Sequence, residues 1–409
     1  MLKWPIWARL GAMAAGLLWA GPGCGGANHS TALIENAPAV DPASSGTLTV
    51  HLVPDGLPGA LSHLYLVLAG LEVRVAGQWR PVPLAVPGLT LDLLPASSQS
   101  PLLLASKVPW PAGANDAMRF SLGPKSQVQL AAEDQDTFHS LEVPTQFVSS
   151  MGPPGSFYVA AQTDTDLWIA FSVANVALPD PANSDQYLFY PGPVRGYDKA
   201  ATGAISGSLT TVAAAGPPSV PAEPLEGAAV TAQLQQVQGP GTAIAFRTVV
   251  SDAQGHYTLD LLPKGSTWCV VGQPESGNVA YYPQVSPGFP LGGAPFDQYE
   301  ASLAFAPAAF PGQVSGTVSA GVAVGEEDVV DLVQAIPSAG VPYAFVLRSA
   351  PVDQVTDGEF SFSFRDVPPG IYYAVLNDYS QSAGLGLVNQ TRASAGFVVA
   401  AGSQITLQF

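Results

Sequence analysis

Asp252-Ala253-Gln254-Gly255-His256-Tyr257-Thr258-Leu259, followed by Leu262-Pro263-Lys264-Gly265, comes back further along the chain as Asp357-Gly358-Glu359-Phe360-Ser361-Phe362-Ser363-Phe364, followed by Val367-Pro368-Pro369-Gly370. Its chemistry is that of a hairpin. Asp and Gly suit a tight turn, which wants a side-chain acceptor and a residue free to adopt positive φ. The alternating Tyr257 and Leu259, or Phe360, Phe362 and Phe364, then bury one face of the next strand, and Pro-x-Gly stops that strand and reverses the chain.

A second signature precedes each copy: Gly203-x-Ile205-x-Gly207-x-Leu209 and Gly312-x-Val314-x-Gly316-x-Val318. Self-similarity of this kind marks repeated modules, so residues 201–309 and 310–409 read as two copies of one plan. Both copies resemble the carboxypeptidase regulatory-like module, a small transthyretin-like β-sandwich that secreted proteins often carry in tandem. That module is commonly classed beside starch-binding-like sandwiches, so the resemblance implies carbohydrate binding as its customary expectation. The later copy departs at Gly325-Glu326-Glu327-Asp328-Val329-Val330-Asp331-Leu332-Val333-Gln334, whose spacing fits either a short helix or a distorted strand.

Residues 46–200 form the domain upstream. Leu48, Val50 and Leu52 alternate with Thr49 and His51, the period of a half-buried strand, and short runs follow at Leu64 to Leu68, Leu71 to Val75, Leu89 to Leu94, Met118 to Leu122, Val128 to Leu130, Phe157 to Ala161 and Leu167 to Val173. Turn clusters such as Val53-Pro54-Asp55-Gly56 separate them, a pattern that reads as a β-sandwich. Gly46-Thr47-Leu48-Thr49-Val50, Leu71-Glu72-Val73 with Trp79, Leu91-Asp92-Leu93-Leu94, Val108-Pro109 running to Gly113, Val143-Pro144 and Tyr187-Leu188-Phe189-Tyr190-Pro191 resemble a β-domain of bacterial lipoproteins of unknown function. The likeness carries no site. The chain as a whole is expected to be all-β, three β-sandwich domains in tandem, the last two transthyretin-like.

The first 23 residues read as an export signal: Lys3 and Arg9, an apolar run from Leu10 to Ala20, then Gly21-Pro22-Gly23 ahead of Cys24. The run is shorter than the roughly 20 apolar residues that a membrane-spanning helix needs. Gly21 to Gly26 resembles a lipobox, although Gly21 and Pro22 depart from its usual residues. The resemblance implies that Cys24 is acylated and anchors the protein to a membrane. Residues 24–45 then read as a flexible tether, and since lipoproteins kept at the inner membrane often carry Asp after the cysteine, Gly25 and Gly26 here make the same resemblance imply the outer membrane or cell surface.

Composition narrows the function. Charged residues are 11% of the chain, with 42 Gly and 39 Pro, which suits short strands and many turns better than helices. A net charge of −17 repels phosphate backbones, so nucleic acid is not a partner. Cys269, in Thr267-Trp268-Cys269-Val270-Val271, reads as a buried small hydrophobe. No Gly-x-Ser-x-Gly, His-Glu-x-x-His, Ser-x-x-Lys or P-loop occurs, and the five histidines lack ligand spacing.

Two candidate binding sites remain. Tyr281, Tyr282, Phe289, Phe296 and Tyr299 put rings in a Gly- and Pro-rich insert, where two exposed coplanar rings would stack on a sugar and where the plain alternative is rings covering the sandwich edge. Glu326, Glu327, Asp328 and Asp331 carry oxygens of the kind that bind Ca²⁺, as do Glu133-Asp134-x-Asp136 and Asp164-x-Asp166, against the alternative of solvated loops. No other cofactor is implied. The expected role is a non-catalytic surface lipoprotein for binding, adhesion or scaffolding, with a glycan or a surface protein as partner. The other readings are a sugar-binding surface protein and an enzyme of an unlisted type.

Overall fold

The computed structural model describes residues 44–409 except 57–60, 87, 95–99, 135–136, 143–153, 174–176, 181–182, 190–193, 213–220, 236–244, 277–278, 293–296, 319–328, 339–340, 357–358 and 379–389. Cys24, the leader, the Asp357-Gly358 turn and Glu326-Glu327-Asp328 lie outside the described residues. Residues 40–409 form one compact unit. Its regular structure, among the described residues, is β-strand with one 3-10 turn at Lys199–Ala201. The chain is all-β, with three sandwiches each closed on its own apolar core.

In the first sandwich, Ser45–Asp55 lies parallel to Asp164–Ser172 and antiparallel to Leu102–Pro111, with Val194–Asp198 at the outer edge. Leu48, Val50 and Leu52 point into the core, as their alternation requires. The facing sheet is built on Leu61–Val75, which the sequence presents as two runs and the structure makes one strand. A register shift between Leu68 and Gly70 explains the difference. That bulge flips the alternation, so Leu64, Leu66 and Leu68, then Leu71 and Val73, all reach the same core.

The two later sandwiches share a plan. In the second, Thr202–Thr211 pairs with His256–Pro263 and, in parallel, with Gln298–Glu300 and Leu303–Phe305. Its other sheet runs Ala245–Val250, Ala229–Leu234, Ser266–Gly272. In the third, Gly312–Val318 lies between Glu359–Val367 and the parallel Gln404–Gln408, facing Val341–Pro351, Val329–Ser338 and Gly370–Asp378.

The Asp252 turn is built as its residues suggest. Asp252 Oδ1 accepts the N–H groups of Gln254 at 2.9 Å and His256 at 2.8 Å, and Gly255 adopts φ +74°. It does not close a hairpin, however, because Ala245–Val250 and His256–Pro263 belong to different sheets. The Ser251 hydroxyl, bonded to Ala228 N–H and Leu225 C=O, holds the chain where it crosses the core. Val329 to Gln334 is strand rather than helix. Val330 and Leu332 face the core while Val329, Asp331 and Val333 are buried on the opposite face. Burial on both sides erases the polar half of the period, which is how a strand came to resemble a helix.

The repeated glycines mark a close approach. A methyl at Gly207 would overlap the Ala301 carbonyl oxygen, and one at Gly316 would lie 2.5 Å from the Phe362 ring and 2.8 Å from Leu407 O. Gly207→Ala and Gly316→Ala are each expected to cost about 1–3 kcal/mol, the usual range for overpacking. Denaturant midpoints measure this, and unchanged midpoints would refute the close-approach account.

Candidate functional site

The most heavily built polar site is the joint between the first and second sandwiches. Arg247, in the edge strand Ala245–Val250, is 4% exposed. Its guanidinium donates to Pro54 O at 2.7 Å and to Asp260 Oδ1 at 3.2 Å, and lies 3.3 Å from Asp55 Oδ1. Thr248 N–H donates to Asp55 Oδ1 at 2.9 Å, and Gly56 N–H donates to Thr248 O at 3.3 Å. Arg195 donates to Phe246 O, sits 4.5 Å above the Phe246 ring and lies 3.6 Å from Asp55 Oδ2. Lys199 adds a cation 3.5 Å from Asp260 Oδ2. Beside this network Val53, Trp168, Ala170 and Leu261 form an apolar cluster with Tyr197, whose hydroxyl is raised by burial.

Gln233 makes the second joint. This side chain, 1% exposed, donates from Nε2 to Val346 O at 2.5 Å and accepts Val346 N–H on Oε1 at 2.9 Å. It thus imitates a neighbouring strand for one residue of Val341–Pro351. Thr231 Oγ1, 2.9 Å from the same nitrogen, orients the amide. Cys269, Val271 and Phe345 pack around it with Val285, Ile336, Tyr343 and Leu347. Burial pushes the Cys269 thiol up to about 11, so it stays protonated at neutral pH.

The residues singled out in the sequence are scattered among different surroundings. Tyr281 is 7% exposed and belongs to the second core, with Phe289 and Tyr299 packed against it. The Phe289 and Tyr299 planes are 43° apart, and the Tyr299 hydroxyl donates to Pro290 O at 2.9 Å. Tyr282 is half-buried and donates its N–H to Ala306 O at 3.0 Å, while Phe296 lies outside the described residues. Of the acidic four, only Asp331 is described. Its carboxylate accepts the Ser349 hydroxyl at 2.5 Å and the Asn377 amide at 2.6 Å, so both oxygens are engaged. Among the described residues no group of three His, Cys, Asp or Glu is placed to hold a metal ion, and no helix is long and apolar enough to cross a membrane.

The joints escaped the sequence reading. Arg247 offered one signal, a single cation within Ala245-Phe246-Arg247-Thr248-Val249-Val250, since a charge inside an apolar strand requires a partner. Gln233 and Asp55 offered none, because their partners are backbone groups and residues far along the chain.

No family model matches the chain, and no curated protein matches it. Among solved structures it is similar to the Bacillus anthracis TIE protein, with 12% identity over 90% of this chain and 50% of that one and a TM-score of 0.19. The chain therefore spans half the length of that protein. It is also similar to the shaft pilin SpaA of Lactobacillus rhamnosus GG, with 13% identity over 51% of this chain and 97% of that one and a TM-score of 0.20. For a streptococcal ancillary pilin the values are 9%, 88%, 98% and 0.19. At these TM-scores the likeness carries no inference about function.

Burial pushes the Asp331 carboxyl up to about 7, against the downward pull of the Ser349 and Asn377 hydrogen bonds. The folded chain therefore keeps a proton that the unfolded chain releases near 3.8. The resulting stability is complete below that value and is lost as pH rises toward 7. Asp331→Asn is expected to gain stability on wild type by roughly 3–4 kcal/mol between pH 4 and pH 8, at 1.36 kcal/mol per pKa unit. Urea titrations of both proteins at the two pH values check this. A constant difference would show that Asp331 is ionised in the fold.

Proposed function

We propose that the chain is a non-catalytic, exported surface lipoprotein, anchored through acylated Cys24, whose three sandwiches act as one stiff scaffold that presents loops for adhesion or matrix contact. The observation that supports it is the pair of joints. In both, an edge strand of one sandwich is hydrogen-bonded by side chains of the sandwich before it, Asp55 and Arg195 in one case and Gln233 in the other. Linked domains without such bonds move against one another by default. The transthyretin-like reading of the last two modules and the outward direction of the anchor fit a protein whose task is to hold a surface away from a membrane.

Spin labels on the first and second sandwiches test the scaffold. Wild type is expected to give one narrow distance distribution, unchanged in high salt because buried pairs are screened little. Arg247→Ala, which leaves Asp55 with Arg195 and Asp260 with the more exposed Lys199 as their remaining cations, is expected to broaden it and to cost about 3 kcal/mol of stability. A broad wild-type distribution would refute the scaffold. Cys24→Ser tests the anchor separately, and a variant still held by membranes would refute acylation.

A further inference from the structure

The outer face of the larger sheet in the first sandwich carries a row of side chains aligned by strand register. Tyr65 lies opposite Asp92 on one side and Gln127 on the other, Gln127 opposite Ser140, and Ser140 opposite Gln186. Cross-strand partners share a face. Since Leu64 and Leu66, flanking Tyr65, belong to the core, the whole row comes out on the opposite side.

One end of the row is an aromatic corner. The His63 and Tyr65 rings are nearly parallel, with planes 12° apart and centroids separated by 5.5 Å. Phe138, 44% exposed, stands against Tyr65 at 64° and 5.8 Å. Asp92 Oδ2 lies 2.5 Å from His63 Nδ1, and its Oδ1 accepts the N–H groups of Leu64 and Leu94. The carboxylate thus fixes the ring and leaves Nε2 available on a side chain 39% exposed.

We infer that this face binds a neutral saccharide chain, with one pyranose seated in the corner of His63, Tyr65 and Phe138 and further units lying along the row. A pyranose offers a flat C–H face and a rim of hydroxyls. The exposed Phe138 ring set against Tyr65 offers an apolar corner to the first, and Asp92, Gln127 and Ser140 supply acceptors and donors for the second. In the aromatic insert of the second sandwich Tyr281 is in the core and the Phe289 and Tyr299 planes are 43° apart. Charge selects the class of sugar. The row contains Asp92 and ends where Glu142 accepts the Gln186 amide at 2.5 Å, it includes no Lys or Arg, and the chain carries −17. An acidic sugar would be repelled. Four interstrand steps of about 4.8 Å span roughly 19 Å, room for several sugar units, so affinity grows with chain length.

The inference goes beyond the scaffold and does not depend on it, since the joints lie elsewhere. Calorimetry on the full chain tests it with hexasaccharides of β-1,4-glucose, α-1,4-glucose, β-1,4-mannose and β-1,4-xylose, the matching trisaccharides, and hexagalacturonate as the acidic comparison. At least one neutral hexasaccharide is expected to bind with Kd between about 10 μM and 1 mM, more tightly than its trisaccharide. Tyr65→Ala and Gln127→Ala are each expected to weaken it about tenfold or more, and Tyr282→Ala to leave it unchanged. Gln127 is exposed, so Gln127→Ala decides the matter if Tyr65→Ala fails to fold. No binding of any neutral hexasaccharide at about 10 mM, tighter binding of hexagalacturonate, or binding that survives Gln127→Ala would overturn the inference.

Discussion

An edge strand cannot be buried with its N–H and C=O groups unpaired, and this constraint governs how the three sandwiches meet. Ala245–Val250 and Val341–Pro351 hold the same position in the shared plan, each antiparallel to the strand that precedes it. Each is taken up by the sandwich upstream. Asp55, Gly56 and Arg195 satisfy Thr248 and Phe246, and the Gln233 amide satisfies both backbone groups of Val346. A module repeated in tandem thus brings the same need each time and meets it from its neighbour.

The two joints meet that need with different chemistry. At the first, Arg247, Asp55 and Asp260 are enclosed beside a small apolar cluster, with Arg195 partly buried and Lys199 at the exposed rim. Desolvation opposes such a network, so its net gain is small, but its geometry is demanding because Arg247 must meet both carboxylates at once. At the second joint one neutral amide lies among Cys269, Val271 and Phe345, and apolar burial supplies the adhesion. The polar joint contributes orientation, and the apolar joint contributes affinity.

The strands were legible where one face meets water and the other meets a core. Tyr257 with Leu259 and Phe362 with Phe364 show this. Legibility failed for three physical reasons. A bulge at Ala69 shifted the period and divided Leu61–Val75 in two. The Asp252 turn has the local chemistry of a hairpin, and only the sheet order shows that it crosses between layers. Val329–Ser338 is buried on both faces over its first half, which removes the alternation itself. The joints were invisible for a further reason, since hydrogen bonds to backbone leave no trace in residue type at the accepting end.

That last failure explains an oddity of composition. The chain is only 11% charged, and some of its apolar side chains lie on outward-facing positions. Cys269 and Val271 in the second sandwich, and Val333, Val346 and Val375 in the third, sit on the sides of their sheets turned away from their own cores, yet none is more than 3% exposed. Freed from its neighbours, the second sandwich would show water a strip of buried apolar surface and the unpaired edge of Ala245–Val250. The cores can be counted as three, but the surfaces that make each one soluble are shared, and the unit that the sequence encodes is the jointed assembly.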